Sequence, residues 1–90
     1  MKSILFVIDK VELKHFEFNN LVTNFWLIKE FLERGHEVYI TTTPLLGLNG
    51  KEPYANSYKT FVEKDNIFYR NIQVKKEINN FDLVMFRPDP

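Results

Sequence analysis

Two charged residues alternate with two prolines at the carboxyl end of the chain, in the order Arg87-Pro88-Asp89-Pro90. A residue that precedes a proline is held in extended backbone, so both charged side chains stand on stiff backbone. A mainly apolar run, 81–86, leads into them and has the composition of a buried strand. Ligands of open α/β sheets bind at the carboxyl ends of strands, and a guanidinium binds a carboxylate or phosphoryl oxygen through paired hydrogen bonds. The pattern therefore makes Arg87 the leading candidate for a substrate-binding residue.

Arg87 also has a purely structural interpretation, which is a salt bridge to Asp89 or Asp82 that closes the end of the strand. The residues alone do not separate the two interpretations. Asp89 is expected to orient Arg87 or the loop rather than to contact a ligand. Because domains rarely stop where a site begins, the position of this motif predicts that the chain is a fragment of a longer enzyme.

Further candidates lie at the same predicted edge. Asp9 ends the first apolar run and either binds a substrate amine or caps a turn through its own side chain. Asn20 and Thr23 lie near the start of a predicted helix, where free backbone N–H groups favour an anion. For each of these two residues, simple capping of the helix is the favoured alternative.

The elements that position these residues follow from hydrophobic periodicity. Residues 3–8 form a continuous apolar run, which is typical of a parallel strand buried on both faces. From Asn20 the apolar residues recur at helical spacing until Gly35, which predicts a helix with a left-handed stop. Residues 37–43 are rich in β-branched side chains and end at Pro44. Strand, helix and strand form a βαβ unit with parallel neighbours.

The second half of the chain predicts a hairpin and short segments rather than a second βαβ unit. Asn49-Gly50, between 45–48 and 51–54, predicts a β-hairpin with a type I′ turn, because both central residues tolerate positive φ. A further β segment is expected at 67–73 and one helical turn at 75–80, before the final strand. The expected fold is therefore a small α/β, Rossmann-like domain with a parallel sheet core and an added β-hairpin.

The amino-acid composition argues against several classes of function and partner. The 90 residues carry twelve Lys and Arg against twelve Asp and Glu, which argues against a nucleic-acid or membrane partner. No Cys is present to form a disulfide or a thiolate ligand. Nine Phe, four Tyr and one Trp are many for one small domain, so some should face another domain or a second copy, and a homo-oligomer is expected. The first apolar run is too short for a membrane span, and we expect a cytoplasmic protein.

Several catalytic patterns are missing from the sequence. The first strand–helix junction has no Gly-x-Gly-x-x-Gly, and no P-loop occurs in the chain. His15 and His36 lack the spacing of a zinc pair. We therefore expect no metal site and no catalytic residue within these 90 residues, and the isolated chain is expected to be inactive.

Taken together, these residues resemble the N-terminal domain of prokaryotic glutathione synthetases, which are ATP-grasp ligases. The resemblance covers essentially the whole chain. It rests on the strand 4–9 that ends in Asp, on the helix end 34–37 and on the turn 48–51. Its most specific part is 82–90, where Asp, an apolar run, Arg and Asp-Pro follow one another.

The resemblance implies a pre-ATP-grasp domain over residues 1–90 that helps to hold γ-glutamylcysteine and covers the site. ATP would phosphorylate the substrate carboxylate and glycine would displace the phosphate. It implies that ATP and Mg²⁺ bind mainly in domains that this chain lacks, so no cofactor is expected here. Two alternatives stay open: the same domain of another ATP-grasp peptide or amino-acid ligase, and a stand-alone flavodoxin-like binding or dimerisation module.

Overall fold

The computed structural model describes residues 1–8 and 23–86, and of Thr23 and Asn24 it describes the backbone only. Within these residues the chain is a mixed α/β domain, dominated by strands. The elements are β1 (Ser3–Val7), α1 (Thr23–Glu33), β2 (Glu37–Thr41), β3 (Leu46–Asn49), β4 (Glu52–Glu63), β5 (Asn66–Tyr69), β6 (Val74–Glu77) and β7 (Leu83–Phe86). Two 3₁₀ turns, Thr43–Leu45 and Ile78–Asn80, precede β3 and β7.

The sheet combines a parallel and an antiparallel part. β7, β1 and β2 are adjacent and parallel, so the predicted parallel pairing of the first two strands is confirmed. β4 then pairs antiparallel with β2, and β3, β5 and β6 all pair antiparallel with β4. A parallel core is therefore present in three strands, and the other four depart from the all-parallel pattern.

Both faces of β1 are buried, as its continuous apolar run predicts. Phe6 and its neighbours of the same parity pack in one cluster with Phe25 and Ile28, the buried residues of α1. Leu5 and Val7 pack on the opposite face against Ala55 and Phe81. β1 is buried on both faces and lies between β2 and β7, so the core fixes the position of these three parallel strands. It thereby also fixes the position of their carboxyl ends.

The helix ends as Gly35 predicts. Gly35 has φ +85°. Its N–H donates to the carbonyl of Leu32 at 3.0 Å, and the N–H of His36 donates to that of Phe31 at 3.0 Å. This pair of hydrogen bonds is a Schellman motif, which stops α1 and turns the chain directly into β2.

The first hairpin is confirmed, but the predicted turn is wrong by one residue and in type. Asn49 pairs with Glu52, so the two loop residues are Gly50 and Lys51 rather than Asn49 and Gly50. Of these two loop residues, only Gly50 has a positive φ, +66°, which is the pattern of a type II′ turn. The type I′ pattern occurs in the next hairpin, where Lys64 and Asp65 have φ of 51° and 62°.

The last strand also differs from its prediction. β7 begins at Leu83 rather than at Phe81, and it lies at the edge of the sheet next to β1 alone among the described strands. Leu83 is 42% exposed and Phe86 64% exposed, so the expectation of a fully buried strand is wrong. Phe81 is buried instead, with its ring 5.6 Å from that of Tyr39. The helical turn expected at 75–80 is confined to Ile78–Asn80, because the preceding residues form β6.

Candidate functional site

The carboxyl ends of the three parallel strands form one edge of the sheet. Val7 is in register with Thr41 of β2 on one side and with Phe86 of β7 on the other. The N–H of Ile8 donates to the carbonyl of Thr41 at 2.9 Å, which extends the pairing of β1 and β2 by one residue. The three strands therefore stop in one row, at the edge where open α/β sheets bind their ligands.

Two buried threonines mark the end of β2 at this edge. Thr41 is 0% exposed and Thr42 is 3% exposed. The Thr41 hydroxyl donates to the backbone carbonyl of Asn56 at 2.7 Å and so ties β2 to β4. These two residues were not among the predicted site residues, although the three consecutive threonines ahead of Pro44 were a visible signal.

The β3–β4 hairpin follows the end of β2 in the chain. Because β2 and β4 are antiparallel and Ile40 is in register with Tyr58, residues 52–55 lie past the end of β2. The 3₁₀ turn that leads into β3 is fixed there by a hydrogen bond of 2.9 Å from the N–H of Leu45 to the carbonyl of Thr42. Leu46 and Ala55 of this hairpin pack with Leu5 and Val7, so the base of the hairpin covers the face of β1 that lies opposite α1.

Gly47 leaves room for an aromatic ring within this hairpin. A Cβ placed on Gly47 would lie 2.6 Å from the hydroxyl oxygen of Tyr54, its cross-strand partner. The Tyr54 ring occupies the space that a side chain would need, and Lys75 Nζ lies 4.3 Å from the centre of that ring. Glycine thus leaves room for the Tyr54 ring against β3.

The site residues predicted from the sequence fall outside the described side chains. Arg87, Asp89, Asp9 and Asn20 lie outside the described residues altogether, and Thr23 is described only as the first residue of α1. The strands that precede Asp9 and Arg87 in the chain are nevertheless adjacent, since β1 and β7 are paired up to Phe86. Their roles remain predictions.

Asp82 lies at the opposite, amino edge of the sheet. Its Oδ2 accepts the backbone N–H of Ser3 at 2.7 Å. This hydrogen bond lowers the pKa of Asp82 below its ordinary value; desolvation opposes it, and the charges of Lys2 and Lys76 add to the lowering. Four strand residues, about 13 Å along the strand, separate Asp82 from the carboxyl end of β7.

Metal ligands are sparse in the described part of the chain. Among residues 1–8 and 23–86, no three His, Asp or Glu side chains are grouped as a metal site would require. His36 Nδ1 instead accepts the backbone N–H of Lys2 at 3.1 Å, which gives this side chain a structural role. These residues do not fit a magnesium site, and no chemical step is assigned to a metal here.

None of the helices formed by the described residues is long and apolar enough to cross a membrane.

Comparison with known proteins identifies the family. A search of curated protein sequences found no match. The family described as prokaryotic glutathione synthetase, N-terminal domain, matches residues 2–90, which is nearly the entire chain. The match includes the parallel strands and the motif that follows β7. The chain therefore belongs to the family of N-terminal domains of prokaryotic glutathione synthetase, a ligase.

Proposed function

We propose that this domain helps to bind γ-glutamylcysteine for its ATP-dependent ligation to glycine. The observation that carries the proposal is the family match over residues 2–90. The adjacent carboxyl ends of β7, β1 and β2 support it, because they provide the type of edge at which such folds bind small molecules. These strands also support the finer assignment as a Rossmann-like pre-ATP-grasp domain.

Arg87 is the proposed contact for a carboxylate of the acceptor. It follows Phe86, the last residue of β7, and its guanidinium matches a carboxylate in shape and charge. Asp9 follows β1 by two residues and is proposed to meet the amine of the same molecule. Asp89 is proposed to orient Arg87, while Asn20 and Thr23 would place backbone donors near the start of α1.

ATP and Mg²⁺ belong to the complete enzyme in this proposal. ATP supplies the phosphoryl group that activates the substrate carboxylate, and both ATP and the metal are proposed to bind mainly in other domains of the enzyme. The contribution of this domain is to bind and orient the acceptor and to exclude water from it. A cytoplasmic location and small-molecule partners, rather than nucleic acid or membrane, form part of the same proposal.

A nuclear magnetic resonance titration tests the proposal on the 90-residue chain itself. Adding γ-glutamylcysteine should shift the amide signals of Ile8, Thr42 and Phe86, which lie at the carboxyl edge. The amides of Ser3 and Asp82 serve as an internal control, because they lie at the other end of the same strands. The isomer α-glutamylcysteine, which has the same composition, should shift the carboxyl-edge signals less at equal concentration.

Three outcomes would contradict the proposal. Shifts centred on Ser3 and Asp82 would place binding at the wrong edge. Equal responses to the two isomers would remove the specificity expected of a γ-glutamylcysteine site, and an absence of shifts at millimolar ligand would favour a module without a substrate.

A further inference from the structure

The two buried threonines at the end of β2 use their hydroxyl groups differently. The Thr41 hydroxyl donates to the carbonyl of Asn56 at 2.7 Å and so has a structural role. The Thr42 hydroxyl forms no hydrogen bond with any of residues 1–8 and 23–86. Thr42 directly precedes the 3₁₀ turn Thr43–Leu45, where a threonine side chain commonly caps the turn, but its hydroxyl does not cap it. One of the two hydroxyl groups is therefore left without a partner in this part of the protein.

The Thr42 hydroxyl is accessible from solvent although the residue is almost completely buried. Thr42 is 3% exposed. Among the described residues, every side-chain oxygen or nitrogen that is fully shielded from solvent has a hydrogen-bond partner. Because the Thr42 hydroxyl has no such partner, it must belong to the small exposed part of the residue. Polar groups in buried residues are usually paired, so an unpaired hydroxyl that reaches the surface is a candidate contact for a ligand.

The side chain of Thr42 lies on the same face of the sheet as α1. Its backbone is extended, with φ −125° and ψ 162°, so the alternation of side chains along β2 continues through this residue. Val38 and Ile40, which have the same parity, pack in one cluster with Phe25 and Ile28 of α1. Thr42 therefore continues the α1 face of β2 to the carboxyl edge of the sheet.

This position lies next to the proposed contacts of the acceptor. β2 is adjacent to β1, which is adjacent to β7, so the end of β2 is about 5 Å from that of β1 and about 10 Å from that of β7. Arg87 and Asp9, which follow β7 and β1 in the chain, are the proposed contacts of a carboxylate and an amine. In γ-glutamylcysteine both groups are bonded to the α-carbon of the glutamyl residue. The carbonyl of the γ-amide is three bonds away from that carbon, roughly one strand spacing in an extended chain.

We propose that Thr42 is a specificity-determining residue of the acceptor site, and that its hydroxyl donates a hydrogen bond to the carbonyl oxygen of the γ-glutamyl amide. The inference rests on the proposed function, since it uses the same ligand and the same edge of the sheet. With the glutamyl α-carbon held beside β1 and β7, the γ-amide reaches the end of β2. Thr42 thus recognises the linkage, while Arg87 and Asp9 recognise the amino-acid end.

The position of the carbonyl gives Thr42 a part in selecting the γ-linked isomer. In α-glutamylcysteine the amide carbonyl is bonded directly to the carbon that carries the amine, so it stays beside β1 and does not reach β2. The hydrogen bond of Thr42 is therefore available to the γ isomer alone. Losing it should weaken binding of γ-glutamylcysteine and leave binding of the α isomer unchanged.

The stability of the unliganded chain separates this role from a structural one. Thr42→Val keeps the shape of the side chain and removes a hydroxyl that has no hydrogen-bond partner among the described residues. Its free energy of unfolding in urea should therefore equal or exceed that of the wild type. Thr41→Val should be destabilised instead, because it leaves the Asn56 carbonyl without its donor.

Nuclear magnetic resonance titrations of the purified chain with each isomer measure the effect on binding. Thr42→Val should bind γ-glutamylcysteine about two- to tenfold more weakly than the wild type, as expected for one hydrogen bond between uncharged groups. Its affinity for α-glutamylcysteine should not change, so the preference for the γ isomer falls by the same factor. Thr42→Ser, which keeps the hydroxyl, should bind like the wild type. Thr43→Val is the matched control, because Thr43 is the adjacent, exposed threonine, and it should also bind normally.

The outcomes distinguish a failure of this inference from a failure of the proposed function. A wild-type chain that binds neither isomer would refute the proposed function and this inference with it. Normal binding by Thr42→Val, together with weak binding by Arg87→Ala, would overturn the role of Thr42 alone. Equal losses of affinity for the two isomers, or a loss of stability in Thr42→Val as large as that in Thr41→Val, would also overturn it, because the hydroxyl would then act on the fold rather than on the γ linkage.

Discussion

Ser3 and Asp82 exchange two hydrogen bonds at the amino edge of the sheet. The N–H of Ser3 donates to Asp82 Oδ2 at 2.7 Å, and the N–H of Asp82 donates to the carbonyl of Ser3 at 2.8 Å. The pair joins residues that are 79 positions apart in sequence. It sets where β7 begins alongside β1, and therefore where both strands end at the candidate site.

Replacing Asp82 should change how stability depends on pH. The folded state lowers the pKa of Asp82, chiefly through the Ser3 hydrogen bond, below the ordinary value of 3.8. The unfolded chain therefore takes up the proton first as the pH falls. The stabilisation is complete above the ordinary pKa and is lost as the pH falls through the folded value. Asp82→Asn keeps an acceptor for Ser3 but cannot titrate.

Thermal melts between about pH 5 and about pH 2 measure this effect. The wild-type chain should lose more stability over that interval than Asp82→Asn does, because the variant lacks this titrating group. Glu52→Gln, at an exposed carboxylate of the first hairpin, is the control. If wild type and Asp82→Asn lost the same stability as the pH falls, the contact of Asp82 with Ser3 would contribute nothing to the pH dependence of stability.

Gly47→Ala should destabilise the first hairpin. The added Cβ would meet the Tyr54 ring at 2.6–2.9 Å, so the ring must move. Overpacking of this type costs about 1–3 kcal/mol. In a Tyr54→Leu background the same change should cost under about 0.5 kcal/mol, because Gly47 has no positive φ that would strain alanine. Urea unfolding of the four proteins measures the coupling, and equal costs in both backgrounds would refute the proposed contact.

Thr41→Val should loosen the connection between β2 and β4. Valine has nearly the shape of threonine but cannot donate to the Asn56 carbonyl, which the Thr41 hydroxyl reaches at 2.7 Å. Leaving that acceptor without its partner costs about 1–3 kcal/mol. Thr41→Ser keeps the donor and should be the less destabilised variant in urea. The opposite order would indicate that the methyl group, rather than the hydroxyl, holds the edge.

Elements governed by local chemistry were predictable from the sequence. Gly35 stops the helix because the chain needs a left-handed backbone conformation there, and glycine alone is enough to predict it. The continuous apolar run of β1 likewise predicted a strand with two buried faces. The resemblance, carried by the motif after β7 together with the earlier segments, predicted the family that the match over residues 2–90 confirms.

Features that depend on distant partners were not predictable in the same way. The loop of the first hairpin is set by the pairing of Asn49 with Glu52, so the Asn-Gly pair alone gave the wrong turn. β4 extends over twelve residues because four other strands pair with it, and no local pattern reveals those partners. β7 is exposed because it has one described neighbour, a property of the sheet order rather than of its apolar composition.

The most direct test of the proposed substrate edge is the affinity of γ-glutamylcysteine for wild type and Arg87→Ala, measured by titration with a thermal melt of each protein. A charge-assisted hydrogen bond is worth about 1.5–3 kcal/mol, so Arg87→Ala should bind about ten- to a hundredfold more weakly with an unchanged melting temperature. Arg87→Lys should recover only part of the loss, and Arg34→Ala, which removes an exposed ion pair with Glu30, should bind normally. Unchanged affinity of Arg87→Ala, or a loss explained by unfolding, would contradict the assignment of Arg87 to the substrate.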